Sequence, residues 1–128
     1  MRVFVYGTLC DPARVREVAP SADLGPAATL YGLRRVEGRY PTLAPGGSVA
    51  GRILRTDDIA VLDAYEGVER GLYVRVSVPA EEGPVETYVG DPDRLDTAEP
   101  VAWPGSGPLA ERVRAYVEDE GVTVRIEG

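Results

Sequence analysis

Val3-Phe4-Val5-Tyr6-Gly7-Thr8-Leu9-Cys10-Asp11-Pro12 decides how this chain is read. Four apolar residues in a row, Val3 to Tyr6, form a short run bounded by glycine, the pattern of a buried strand. Gly7 ends it, and Gly7 to Cys10 form a connecting loop. Asp11 is a good N-cap, and Pro12 fits the first helical position, where a missing N–H costs nothing. A short helix over Ala13 to Val18 is expected there, limited by Pro20.

Outward from this start, strands and helices alternate. Ala28 to Val36 reads as a strand, with Gly32 marking a bulge or a close backbone approach. Gly38-Arg39-Tyr40-Pro41 is a turn, and Gly46-Gly47 predicts another. Val49 to Leu54 is a strand. Thr56-Asp57-Asp58 caps a helix whose Ile59, Leu62 and Tyr65 recur at helical spacing, so that face is core. Gly67 stops it. Tyr73 to Val78 alternates as a half-buried strand, and Glu81-Glu82-Gly83-Pro84 turns the chain into its partner, Val85 to Val89. Pro92 to Pro108 reads as irregular. Leu109 to Asp119 is an amphipathic helix with Val113 and Val117 on one face, and Val122 to Ile126 is a last strand. The expectation is one α+β domain over residues 1–128, with a small, mixed, strongly curled or barrel-like β-sheet and flanking helices.

Composition narrows the chemistry. With 128 residues, 44% hydrophobic and 27% charged, the chain supports one core without disulfides. The net charge of −7 argues against nucleic acid and anionic membranes as partners. No apolar run approaches a membrane span, and the N-terminus does not read as a secretory signal, so a cytoplasmic protein is expected. There is no His, Lys, Asn or Gln, and every basic residue is Arg. A histidine triad, a Schiff-base lysine and a phosphate-loop lysine are therefore excluded, and Cys10, alone, cannot build a thiolate zinc site. Proton transfer falls to Asp, Glu, Tyr or Cys. The missing amides fit a heat-adapted source, and the lysine-free acidic surface fits a saline one or codon bias equally well.

Two candidate sites stand out. The loop Tyr6-Gly7-Thr8-Leu9 can present successive backbone N–H groups to an anion or a polarised carbonyl oxygen; it can equally be a plain strand-to-helix turn. Glu66 sits at a helix C-terminus, where an anion is electrostatically misplaced. Partly buried there, it would have the raised pKa of a general base; fully exposed, it is an ordinary surface glutamate. Asp63 is either core-facing or a loop anchor, and Glu69 and Arg70 read as a solvated turn. Tyr6, Tyr40, Tyr73 and Tyr88 can line a polar pocket. Cys10 reads as a small buried hydrophobe.

Val3 to Leu9, Gly38 to Pro41, Val49-Ala50-Gly51-Arg52, Leu62-Asp63-Ala64-Tyr65-Glu66-Gly67-Val68, Gly71-Leu72-Tyr73-Val74-Arg75 and Thr87-Tyr88-Val89 occur in this order. Together they resemble the γ-glutamylcyclotransferase-like superfamily over roughly residues 3 to 90. The branch most resembled is the short one of γ-glutamylamine cyclotransferases and plant avirulence-induced proteins. The resemblance implies a small mixed β-barrel with helices around it, and a cofactor-independent, metal-free reaction. In that reaction the α-amine of a γ-glutamyl compound attacks its own γ-carbonyl, releasing 5-oxoproline and an amine or amino acid. It also implies that Glu66 is catalytic and that Tyr6, Gly7, Thr8 and Leu9 bind the small-molecule substrate, in a monomer or homodimer. Cys10 stands where such proteins often carry a basic residue, and Trp103 is a loose candidate for an extra aromatic contact. Two other functions remain open: a non-catalytic module that binds an amino-acid-like ligand, and an interaction protein using the Leu109–Asp119 helix.

Overall fold

The computed structural model describes residues 1–127. Six strands form one mixed sheet: β1 (Arg2–Val5), β2 (Asp23–Val36), β3 (Thr42–Arg55), β4 (Tyr73–Val78), β5 (Val85–Gly90) and β6 (Thr123–Ile126). Their order across the sheet is β4-β5-β1-β3-β2-β6. Among these strands, within the described residues, β1 and β5 pair in parallel and the other neighbouring pairs are antiparallel. Among the described residues four α-helices surround the sheet: α1 (Pro12–Val18), α2 (Ile59–Glu66), α3 (Pro92–Leu95) and α4 (Leu109–Asp119).

The apolar run of β1 is buried on both faces because a core packs against each. Phe4 and Tyr6 join one core with Leu30, Leu33, Ile53 and Val113 and Val117 of α4. Val3 and Val5 point the other way, into a second core with Val15 of α1 and Leu62 of α2. Helices thus cover both faces at β1. At the far ends the sheet curls on itself: Ala80, just past β4, bridges to Val124 of β6, and the Val124 N–H donates to the Pro79 carbonyl at 2.9 Å. The result is a curled half-barrel.

Two expectations are corrected. Gly46-Gly47 is no turn, because β3 runs through it. Tyr31 pairs with Ser48 and Leu33 with Pro45, so two glycines oppose Gly32 in a β-bulge. Both have positive φ, 97° and 72°, which glycine adopts without strain. Gly32 is also a close approach, since a Cβ there would meet Val122 Cγ2 at 2.8 Å. The second correction lies in the stretch read as irregular, which contains α3. Asp91 caps it by accepting from the Asp93 N–H at 3.0 Å. The α1 start is as expected: the Asp11 carboxylate accepts from the Ala13 N–H at 3.0 Å. At α2, by contrast, Asp58 makes no side-chain cap, and Thr56 Oγ1 accepts from the Asp58 N–H at 3.0 Å.

Candidate active site

The exit of β1 and the C-terminal end of α2 meet at a cavity of about 420 Å³. Tyr6, Gly7, Thr8 and Leu9 line it together with Glu66, so the two candidates read separately from sequence share one pocket. Its size suits a small molecule of a dozen or so heavy atoms rather than a polymer. Tyr40, Tyr65, Tyr73 and Tyr88 also form its wall.

Helix α2 places Glu66 through its ending. Gly67 takes the left-handed conformation (φ 71°, ψ 36°). Its N–H donates to the Ala64 carbonyl at 3.2 Å, and the Val68 N–H donates to the Asp63 carbonyl at 3.0 Å. This is a Schellman closure, and it fixes Glu66 as the last helical residue. A side chain at Gly67 would also collide with Leu72 Cδ1 at 2.9 Å.

Glu66 is half-buried, open to the cavity and walled elsewhere. Burial raises its pKa to about 7, with no other cause contributing. Among the described residues no arginine lies within ion-pair distance of it. That matters because a neighbouring guanidinium would hold the carboxyl down. Arg14 and Arg70 do line the pocket, but without such an effect on Glu66.

The tyrosines are structural as well as lining. The Tyr6 hydroxyl donates to the Tyr88 carbonyl at 2.5 Å, and the Tyr73 hydroxyl donates to the Pro41 carbonyl at 2.6 Å. The Tyr88 hydroxyl donates to Asp63 Oδ1 at 2.7 Å. Burial, first, holds Tyr6, Tyr73 and Tyr88 well above the usual phenol range, and the Glu66 charge adds to the shift at each. All three stay neutral donors. Asp63 also faces Arg75 Nε at 3.0 Å, and Arg75 Nη1 donates to Glu86 at 2.9 Å. Asp63 is thus an anchor for Tyr88 and Arg75.

The loop after β1 forms a short 3₁₀ turn, Thr8–Cys10, closed by the Cys10 N–H on the Gly7 carbonyl at 3.0 Å. Within the described residues the N–H groups of Gly7, Thr8 and Leu9 find no acceptor. The three residues line the cavity, and successive free amides are the kind of group suited to an oxyanion.

Some residues fall elsewhere than expected. Arg70 belongs to the pocket wall rather than to a merely solvated turn. Trp103 is buried in the core against Tyr116, ring centroids 5.5 Å apart, and does not line the cavity. Cys10 is half-buried rather than fully buried; its thiol donates to the Val5 carbonyl at 3.2 Å, and burial pushes its pKa up, which disfavours the thiolate. Arg14 escaped the reading of the sequence as a pocket residue, and Tyr65 and Arg70 were read there as core face and solvated turn. Arg14 carried a usable signal, since it lies in the first turn of the helix that comes after the loop. Among the described residues no cluster of His, Cys, Asp and Glu could hold a metal, and no helix is long and apolar enough to cross a membrane.

Comparison with known proteins gives a family. The model of the family described as "Gamma-glutamyl cyclotransferase, AIG2-like" matches residues 3–107, and the chain belongs to that family. The match runs past residue 90, through α3 and the segment before α4. Similar solved structures include one described as a γ-glutamyl cyclotransferase, 18% identical with a TM-score of 0.60, covering 92% of this chain and 98% of that one. Another is At5g39720.1 from Arabidopsis thaliana, 29% identical with a TM-score of 0.56, covering 93% and 84%. A third is the protein ytfP from Escherichia coli, 28% identical with a TM-score of 0.52, covering 77% and 92%. No curated protein sequence matches.

Proposed function

We propose that the protein is a γ-glutamyl cyclotransferase-type enzyme acting in the cytoplasm, with Glu66 as general acid/base and the Tyr6–Leu9 loop as the substrate cradle. The observation that carries this reading is one cavity holding a carboxyl with a pKa of about 7 and three unpartnered backbone amides.

The chemistry matches the groups. The substrate's α-ammonium gives a proton to the Glu66 carboxylate, and the freed amine attacks the γ-carbonyl carbon. The carbonyl π electrons move onto oxygen, where the Gly7, Thr8 and Leu9 N–H groups receive the charge. Collapse restores the carbonyl and breaks the bond to the leaving nitrogen. In all, two protons pass from the attacking nitrogen to the leaving one, and Glu66 accepts and hands on each. A carboxyl poised near neutrality does both tasks well. Attack is intramolecular, so holding the glutamyl chain folded supplies much of the rate. The products are 5-oxoproline and an amine or amino acid.

The test is 5-oxoproline release from a panel of γ-glutamyl amines, γ-glutamyl amino acids and glutathione, with wild type beside Glu66→Gln. Release by wild type and not by the variant supports the assignment. Tight binding of panel members without release would point instead to a module that senses an amino-acid-like ligand.

A further inference from the structure

We propose that Arg35, which stands outside the pocket, is a positioning residue that aims and polarises the Gly7 amide; this rests on reading that amide as an oxyanion donor. Arg35 Nη1 donates to the Tyr6 carbonyl oxygen at 2.7 Å. The described residues contain no cis peptide, so the C=O of Tyr6 and the N–H of Gly7 point in opposite directions. Arg35 does not line the cavity, whereas Gly7 does. Holding the carbonyl toward Arg35 therefore turns the Gly7 N–H, which has no acceptor of its own, toward the cavity side.

The charge and the place of Arg35 have two physical consequences. A cation on the carbonyl oxygen draws electron density through the peptide and makes the N–H beyond it a stronger donor. The same contact opposes a flip of the Tyr6–Gly7 peptide, a motion glycine permits at little cost. Arg35 is suited to this because it is itself held. It lies on β2 opposite Leu43 of β3, and its Nε donates to Glu37 Oε2 at 2.8 Å. Tyr6 is in turn clamped at both ends, its carbonyl by Arg35 and its hydroxyl on the Tyr88 carbonyl.

The experiment compares Arg35→Met and Arg35→Lys with wild type, on whichever γ-glutamyl compound wild type turns over. The Arg35 side chain is 44% exposed, so both variants are expected to fold. Deleting an oxyanion donor outright costs roughly 10²–10³-fold in kcat, so weakening one should cost about 10-fold. Arg35→Met is expected to lose that much in kcat with KM within about threefold and the acid limb of the pH profile unmoved; Arg35→Lys should retain most of the rate. A second readout needs no turnover. The ¹⁵N resonance of the Gly7 amide, which responds to hydrogen bonding at the preceding carbonyl, should shift in Arg35→Met and largely return in Arg35→Lys. An unshifted Gly7 resonance, or an Arg35→Met variant with wild-type kcat, overturns the proposal. A wild type that releases no 5-oxoproline overturns the catalytic reading, while the Gly7 resonance still reports on Arg35.

Discussion

The hydroxyl oxygens of Thr8 and Tyr65 stand 2.7 Å apart, so the loop after β1 is tied directly to the last turn of α2, next to Glu66 in the chain. The bond is exposed, and either group can be the donor. It links the two halves of the candidate site without passing through the core.

Tyr65→Phe removes that tie and little else. Stability should fall by less than about 1 kcal/mol, as for a solvent-exposed hydrogen bond. The loop would then be held less firmly against α2, so KM should rise several-fold while kcat changes less. Thermal melts and steady-state kinetics on the same preparation check both.

Glu66→Gln should lower kcat by roughly 10²–10⁴-fold, the range for loss of a general acid/base. It should also stabilise the protein at alkaline pH. Burial raises the folded-state pKa of Glu66 from 4.5 to about 7, so the folded chain holds this proton more tightly than the unfolded chain. Wild type thus loses stability as pH rises from about 4.5 to about 7, and glutamine does not. The gain above pH 7 should be on the order of 1–3 kcal/mol, diminished by water in the pocket. Denaturant melts of both proteins at pH 5 and pH 8 measure it; equal differences at the two pH values would refute the buried carboxyl.

The same titration shapes the rate. Attack needs Glu66 as the carboxylate, so kcat/KM should climb with pH and reach half its plateau near the Glu66 pKa of about 7. A half-rise near pH 4.5 would mean that Glu66 is solvated in the working enzyme.

Gly51→Ala tests the frame beneath the site. A Cβ at Gly51 would lie 2.2 Å from the Val5 carbonyl oxygen and 2.7 Å from Phe4 Cζ. The backbone of β1 cannot yield without moving the loop it feeds. Destabilisation of at least about 2 kcal/mol is expected, read as a fall in Tm of roughly 5–10 °C.

How much of this was legible depends on the kind of signal each residue carries. Strand β4, Tyr73–Val78, and helix α4, Leu109–Asp119, have the bounds expected from sequence. In α4 one buried face, Val113 and Val117, sets the period, whereas β4 is bounded by Gly71 before it and the Pro79 turn after it, and buries Tyr73 on one face and Val76 and Val78 on the other. Gly46-Gly47 misled because paired glycines signal a turn locally, whereas their conformation is decided by Gly32 on the opposing strand. Helix α3 is too short to show a period. Its Asp91-Pro92 start nevertheless repeats the Asp11-Pro12 start of α1, a signal that could have found it. At the site, Glu66 and the Tyr6–Leu9 loop were legible as types of residue in unusual places. Their meeting in one cavity was legible only through the family resemblance, since α2 and β1 are far apart in the chain. Arg70 was hidden because an exposed arginine after a helix looks the same whether it faces water or a pocket mouth. Trp103 misled because a large aromatic in a Pro- and Gly-rich stretch reveals nothing of which cavity or core it fills.

The bridge between Ala80 and Val124 joins the two margins of the sheet. Outer strands with unsatisfied amides are the usual template on which copies of a chain accrete into fibrils. Here the outermost strand on one side is fastened to the segment leaving the outermost strand on the other, and α4 packs against β4. The same curl that makes room for the core therefore draws the two margins of the sheet toward each other at Ala80 and Val124, shortening the stretch of margin left open.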